Sequence, residues 1–460
     1  MSKVHFIPLG SEYWVAFFPD SCRFFKTNLN GKLLIESIIN NVQYPELPAQ
    51  ISISESEYNS YYDKIHSYAK QNYKDNIPAI DREENTRRHL DRLVIHVSND
   101  CNLRCKYCYA AGGAYGSQRK IMSLEMVQKI LEKFYSTFDT ISSVQIFGGE
   151  PLYNMAAINM ICEFVRNKDK ETKLNTRIGL VTNATLISND FIKCVKDYNI
   201  SVTVSYDGSP IVNDLMRVYV NDSGTSKDII DNTMRLYEAT GQPDTIEVTY
   251  NRHHLENNIG ILDVIRHVKS LFPSSHVHLV PVCGEGEFDY LLKDYDIFPT
   301  SIDEIFKSYD EGQVLSYSLA ERIFIGLAQH GQENNYICNA GIGTLSVSVE
   351  GDIYPCFMFT NEEALKLGNI SDDNIFFNDH FIHSLNKLSC FNNKTINSTC
   401  KECFIRSICN GCLGLNATHV QDEFKLNDNI CDMFRRMTER VIIQYVQRGI
   451  ISEANNEKQK

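Results

Sequence analysis

The chain has 460 residues, 43% of them apolar, and its 58 acidic and 45 basic side chains leave a net charge of −13. That length exceeds what one hydrophobic core supports, so two or three domains are expected, and the acidic balance excludes a general nucleic-acid binder, which needs a basic footprint. No apolar run reaches the ~18 residues of a membrane span and the start, MSKVHFIPLGSEYW, lacks the pattern of a secretion signal, so a cytoplasmic location without membrane or nucleic-acid partners is expected.

Residues 1–74 are expected to form a small domain. Val4–Leu9, Tyr13–Phe18 and Cys22–Phe25 have strand composition and are separated by Gly10-Ser11 and Pro19-Asp20 turns. A helix is predicted from Gly31 to about Asn40, capped by Asn30, with Leu33, Leu34, Ile35 and Ile38 inward. Ser54 and Glu57 have capping-box spacing for a second helix, from about Glu55 to Asn72. Its tyrosines, Tyr58, Tyr61, Tyr62, Tyr68 and Tyr73, are expected in the core. The run Phe17–Ile38 is similar to the winged-helix peptide-recognition domains that precede many peptide-modifying enzymes. That similarity implies a leader peptide held as an added strand; a structural appendage is the alternative.

Residues 75–91 are polar, lack a period and read as a linker. Over 92–283, strand patterns at Leu93–Ser98, Ser143–Phe147, Arg177–Val181, Ser201–Ser205, Thr245–Tyr250 and His276–Val280 alternate with helical ones at Leu124–Ser136, Met155–Arg166, Ser188–Lys196, Asp228–Ala239 and Ile259–Ser270. Such units imply a parallel sheet covered by helices, either open and doubly wound or part of a barrel. In both, reactive groups gather beyond the C-terminal ends of the strands.

Cys101, Cys105 and Cys108 stand there after the first strand, Gly148-Gly149-Glu150-Pro151 after the second, Thr182 and Asn183 after the third, Asp207 after the fourth and Cys283 after the sixth. Disulfides rarely persist in the cytoplasm, so the 15 cysteines need another role, and clusters are the natural one. A CxxxCxxC triplet can hold three corners of a 4Fe–4S cube that takes four ligands, and no further cysteine occurs before Cys162. One iron would then stay open. A zinc site short of a ligand, with His89 and His96 nearby, and plain buried thiols are the rivals. Paired glycines permit close backbone approach and Glu150 can accept from a ligand ammonium, although a strand-ending turn also explains them. Capping competes as the role of Thr182 and Asn183, and an Asp-Gly turn as that of Asp207.

The triplet, with Tyr107 before its last cysteine and the GGE segment after it, resembles the radical S-adenosylmethionine (SAM) enzymes. The resemblance implies a partial (β/α)6 barrel and a 4Fe–4S cluster on Cys101, Cys105 and Cys108. Its open iron would chelate the amino and carboxylate groups of SAM, which is cleaved to methionine and a 5′-deoxyadenosyl radical. Gly148, Gly149 and Glu150 are then expected at the SAM amino group, and Thr182, Asn183, Asp207 and Arg217 at its ribose or carboxylate. A flavodoxin- or ferredoxin-like electron donor is implied. Cys283 is a candidate redox or acid–base group, or a small buried hydrophobe; Glu285 and Glu287 are candidate bases. Cys162 and Cys194 are expected in the core, and Cys22 and Cys390 have no assigned role.

Residues 284–337 read as a bridge containing a helix at about Val314–Gln329. Beyond it come Cys338, Cys356, Cys400, Cys403, Cys409, Cys412 and Cys431, with a hairpin predicted to turn at Glu350-Gly351-Asp352. A cross-brace zinc module is one reading of this set. The pattern Cys, Gly-x4-Cys, CxxCx5CxxC, Cys strongly resembles the SPASM extension, which implies two auxiliary 4Fe–4S clusters over 338–446: an inner one on Cys338, Cys356 and Cys412, and an outer one on Cys400, Cys403, Cys409 and Cys431. Two departures stand out. Residues 331–337 lack the further cysteine that completes the inner set, and the second pair is CxxC where several sulfatase-modifying members have CxxxC. The inner cluster is therefore expected to keep an open iron or to recruit a distant ligand such as Cys283. A helix at Met433–Val446 is expected to pack back on the core, followed by a polar tail, 447–460.

Together these features predict a maturase that binds a ribosomally made precursor through its leader and joins cysteine sulfur to carbon. An anaerobic sulfatase maturase making formylglycine, a carbon–carbon crosslinking maturase and a non-enzymatic iron–sulfur carrier are the alternatives. The last would need neither GGE nor an open-cornered triplet.

Overall fold

A computed structural model describes residues 4–69, 89–284, 286–331, 335–420 and 423–450. Tyr73, Glu285, residues 75–88 of the linker and residues 451–460 of the tail lie outside the described residues.

Strands β1 (His5–Leu9), β2 (Tyr13–Phe18) and β3 (Arg23–Asn28) form an antiparallel meander in that order. Period-two alternation gives β2 two apolar faces. Ala16 and Phe18 meet Leu34, Ile35, Ile38, Tyr58, Ile65 and Tyr68 on helices Leu29–Ile39 and Glu55–Tyr68, while Val15 and Phe17 join the main core. The first helix is capped by Asn28, not Asn30: Asn28 is extended, and its side chain accepts from Gly31 N. The second has the expected Ser54–Glu57 capping box and ends at Tyr68, short of Asn72. Of its tyrosines, Tyr58 and Tyr68 are buried and Tyr61 is exposed.

Strands β4 (His89–Ser98), β5 (Thr140–Gly148), β6 (Arg177–Thr182), β7 (Ile200–Ser205), β8 (Thr245–Tyr250) and β9 (His276–Pro281) are parallel and lie side by side in chain order. β4 thus begins inside the stretch read as linker. Parallel neighbours in chain order, joined by the right-handed crossovers that such units almost always adopt, put every crossover helix on one face. That is the arrangement of a barrel wall, not of a doubly wound sheet.

The cysteine-rich region extends this sheet. β10 (Thr344–Val347) pairs parallel with β4 and turns through Gly351 into β11 (Asp352–Tyr354), which pairs with β12 (Gly368–Asn369), for nine strands among the described residues. Gly351 has φ +82°, as the predicted hairpin turn requires. Helix Ile297–Asp310, not foreseen in the bridge, and helix Ser318–Ala328 follow β9. The last helix, Asp428–Gln447, packs on Ile297–Asp310 and buries Met433, Phe434, Met437 and Val441. No helix among the described residues is long and apolar enough to cross a membrane.

Candidate active site and auxiliary thiol sets

The cysteine triplet leaves β4 through a bulge, where His96 and Ser98 face consecutive residues Phe147 and Gly148 of β5. A bulge re-aims a strand end, and here it turns Asp100 and Cys101 across the end of β5. Gly149 N donates to Ser98 O (2.8 Å) and Glu150 N to Asp100 O (2.7 Å). No side chain fits between these backbones. A Cβ added to Gly148 would lie 2.4 Å from Ser98 O, one on Gly149 2.4 Å from Asp100 O, and one on Gly113 2.7 Å from Gly149 Cα and 2.8 Å from Cys101 Cβ. The close approach expected of the glycine pair is thus first an approach to the cysteine loop itself.

The rest of the loop is held from behind. Arg104 N and Lys106 N donate to Val218 O and Met216 O at 2.7 and 2.9 Å. Tyr107 donates its hydroxyl to Asp207 Oδ2 (2.6 Å), Arg217 Nε donates to Asp207 Oδ1 (3.1 Å), and the Arg217 guanidinium lies 5.4 Å from the centre of the Tyr107 ring. Asp207 is fully buried and also accepts from Thr249 N. Asp207 and Arg217, expected at a bound ribose or carboxylate, stand behind the triplet and brace it. Glu150 is likewise fully buried; its carboxylate accepts from Leu152 N (3.0 Å), Thr182 Oγ1 (2.7 Å) and Asn183 N (2.8 Å), so it ties the ends of β5 and β6 together. Burial pushes its pKa up to about 7 against those three donors.

Two N–H groups already address the Cys101 sulfur: Leu103 N at 3.4 Å and Asn183 Nδ2 at 3.6 Å. Burial raises Cys101 to about 12 and Cys105 to about 11, with the Arg217 charge opposing the rise at Cys105. Such thiols stay protonated until a metal takes the proton's place. The zinc reading finds no support in the histidines. His89 bonds Thr140 and Asp91 at the far end of β4, and His96 bonds Thr360. Three thiols on one braced loop, with N–H donors on Cys101 and a glycine-lined approach, fit a cluster held by Cys101, Cys105 and Cys108.

The C-terminal thiols lie in two neighbourhoods. The charges of Cys338 and Cys412 act on Cys356, and that of Cys412 on Cys338. Separately, Cys403, Cys409 and Cys431 act on Cys400, and Cys403 and Cys431 on Cys409. Cys283 lies beside the first set: its thiol donates to Leu415 O at 3.4 Å and feels the Cys412 charge, and burial raises it to about 12. Cys162 and Cys194 are buried, as expected, and Cys390 is exposed. Cys22 is buried against Ser407 in the outer-set loop, at 3.3 Å.

Sequence reasoning missed Gly113, Lys394 and Arg406. The AAGGAYG run after Cys108 was a readable signal for the first; the other two are isolated cations in a polar stretch and carried none.

The sequence pattern of the Radical SAM superfamily matches residues 95–257, and that of the SPASM iron–sulfur cluster-binding domain matches residues 338–404. The chain carries a radical SAM domain and a SPASM domain. A cysteine-type anaerobic sulfatase-maturating enzyme of Clostridium novyi is 24% identical over 77% of this chain and 96% of its own length. The radical SAM cyclopropyl synthase TigE of Paramaledivibacter caminithermalis is 24% identical over 78% of this chain and 75% of its own. The structure of Streptococcus suis SuiB bound to precursor peptide SuiA superposes with a TM-score of 0.52 at 15% identity, over 90% of this chain and 95% of its own. The radical SAM domain implies SAM and a 4Fe–4S cluster, and the SPASM domain implies auxiliary iron–sulfur clusters.

Proposed function

We propose that this radical SAM protein is a peptide maturase that installs thioether links, cysteine sulfur to carbon, in a ribosomally made precursor. The observation that carries the reading is the inner auxiliary set, in which Cys338 and Cys412 neighbour Cys356 while residues 331–337 supply no fourth thiol. An iron left open there suits a substrate thiolate. With the triplet and the outer set, this reading expects three 4Fe–4S clusters.

The N-terminal module supports a peptide substrate. We read it as winged-helix-like, and the outer edge of β3 is unpaired among the described residues. Beside that edge runs a groove of about 520 Å³ lined by Phe25, Leu34, Ile35, Ile53 and Ile65, with Arg23 and Lys64 at its rim. An added leader strand would find both backbone partners and apolar pockets there. The Clostridium novyi sulfatase maturase, matched over nearly its whole length, leaves about a quarter of this chain without a counterpart. The precursor peptide in the SuiB structure suits the same reading.

Gly148, Gly149, Glu150, Thr182 and Asn183 line the strand ends beside the triplet and would hold SAM there, with Tyr107, Asp207 and Arg217 keeping the loop in place. Bound SAM and its cluster would supply the radical that accepts a hydrogen atom from a peptide carbon. Each link also releases the thiol proton and one electron, which a flavodoxin- or ferredoxin-like carrier could collect by way of the auxiliary sets.

The test is anaerobic co-expression with a short cysteine-rich precursor peptide, sought among the reading frames that neighbour this gene. The expected product is lighter by two hydrogens per link, keeps that mass after reduction, and has cysteines that no longer alkylate. An unchanged peptide, together with an aldehyde formed on a sulfatase-derived peptide, overturns the reading in favour of formylglycine chemistry.

A further inference from the structure

Lys394 is one of the most deeply buried side chains in the molecule, with 1% of its surface exposed. It follows helix Asp379–Asn392 and points into the loop that carries the outer thiol set. Its Nζ donates to Cys409 O (2.9 Å) and Arg406 O (3.2 Å). After burial, the largest influences on it come from Cys409, Cys400, Arg406 and Cys403. The nearby acid, Asp20, is bonded to Arg406 at 3.0 Å. Asp20 is thus engaged by a second buried cation of this loop, Arg406.

A buried ammonium without a counter-charge is strongly disfavoured, because the Coulomb attraction that offsets lost hydration is missing. Two neutral carbonyls do not supply it. Four thiolates around an iron–sulfur core do, since their charge outweighs that of the core, and the set becomes more negative still when it accepts an electron. In a low-dielectric site the nearby positive charge favours the reduced form.

We propose that Lys394 is the counter-cation of a cluster on Cys400, Cys403, Cys409 and Cys431, and that its charge makes this cluster the preferred resting place of the electron released when the link forms. Lys394 is a positioning residue, acting on the cluster through space. The inference rests on the three-cluster reading above and deepens it.

The test uses the full chain, reconstituted anaerobically with iron and sulfide, in wild-type, Lys394→Met and Lys394→Arg forms. Iron per chain and a redox titration followed by electron paramagnetic resonance are measured without peptide. In Lys394→Met, one auxiliary signal should shift to a more negative potential while the other stays; Lys394→Arg should remain near wild type. Unchanged potentials at full iron content overturn the inference and leave the maturase reading intact. If Lys394→Met loses one cluster's worth of iron, melting of the iron-free proteins decides. The methionine variant should then melt above wild type, because it no longer buries an unbalanced charge. A lower melting point means that the lysine serves only as a donor to two carbonyls, and the inference fails.

Discussion

At the scale of single residues, burial decides what titrates and what binds. His96 is fully buried in β4, packed against Tyr115 and Phe147, with Nε2 3.2 Å from Thr360 Oγ1 and no partner on Nδ1. Burial holds its pKa down at about 3. A base whose folded pKa lies below its unfolded value of ~6.5 contributes stability that is complete above that value and lost as pH falls toward the folded pKa. Between pH 7 and pH 5 the loss from this one group is about 2 kcal/mol. Chemical denaturation of the iron-free protein should show that loss in wild type and not in His96→Gln; parallel pH profiles for the two proteins would exclude it. Glu150, raised to about 7, acts in the opposite direction over the same range, so the comparison between variants is the informative quantity. Cys283 poses a different question. Its thiol points at Leu415 O, and it feels Cys412 from beside the inner set. Cys283→Ala should therefore keep the full complement of about twelve iron atoms per chain expected of three 4Fe–4S clusters. A drop of about four would make Cys283 the fourth ligand and close the corner the thioether reading needs. The candidate ligand cysteines were legible because cluster spacing is local in sequence. The burial of Lys394 and Arg406 was not, because it is created by chain that arrives from Asp20 and Cys409.

At the scale of elements, the six parallel strands follow the alternation and apolar runs of the sequence closely, with the largest shift at the start of β4. Strand ends are set by short-range pattern, whereas the partner of a strand is not. That β10 adds to the edge of β4, pairing Thr344 with Arg92 and Val347 with Ile95, is a contact across some 250 residues that no local period announces. Helix Ile297–Asp310 escaped notice for a local reason: Pro299 reads as a breaker, yet proline is tolerated in a first helical turn, where the N–H would be unsatisfied anyway. The GGE segment was readable as a site, but not its first duty, which is to let two strand ends touch. Gly149→Ala tests that duty. Its new Cβ would meet Asp100 O, a backbone atom that cannot swing aside. The variant should keep its folded far-ultraviolet spectrum, lose about four iron atoms per chain, and no longer cleave SAM. Full iron content in that variant would show that the loop tolerates the displacement and that the glycines serve the ligand alone.

At the scale of the whole molecule, the N-terminal module is seated on the outer thiol set. Between Cys403 and Cys409, Phe404 stacks on His5 with centroids 3.8 Å apart and meets the edge of Phe17, Arg406 pairs with Asp20 at 3.0 Å, and Ser407 bonds Pro19 O and Cys22. The face of β2 that does not cover its own helices is thus packed on the segment joining two ligand pairs, and His5 reaches on to Glu439 of the last helix. The N-terminal meander and the outer-set loop share this packed interface and cannot shift independently. Asp20 and Arg406 are the polar centre of that interface, each about nine-tenths buried. Asp20→Asn removes the carboxylate that Arg406 bonds at 3.0 Å, and breaking a buried ion pair costs about 3–5 kcal/mol. The melting temperature of the reconstituted protein should fall, and iron should leave the outer set first, since Arg406 lies between Cys403 and Cys409. Adding Arg406→Met should recover much of both, because a neutral pair of similar volume has no charge to balance. If Asp20→Asn melts earlier with its iron and its auxiliary potentials unchanged, the module is merely attached to the cluster domain. If the double variant recovers stability but not iron, Arg406 holds the loop through contacts other than the ion pair.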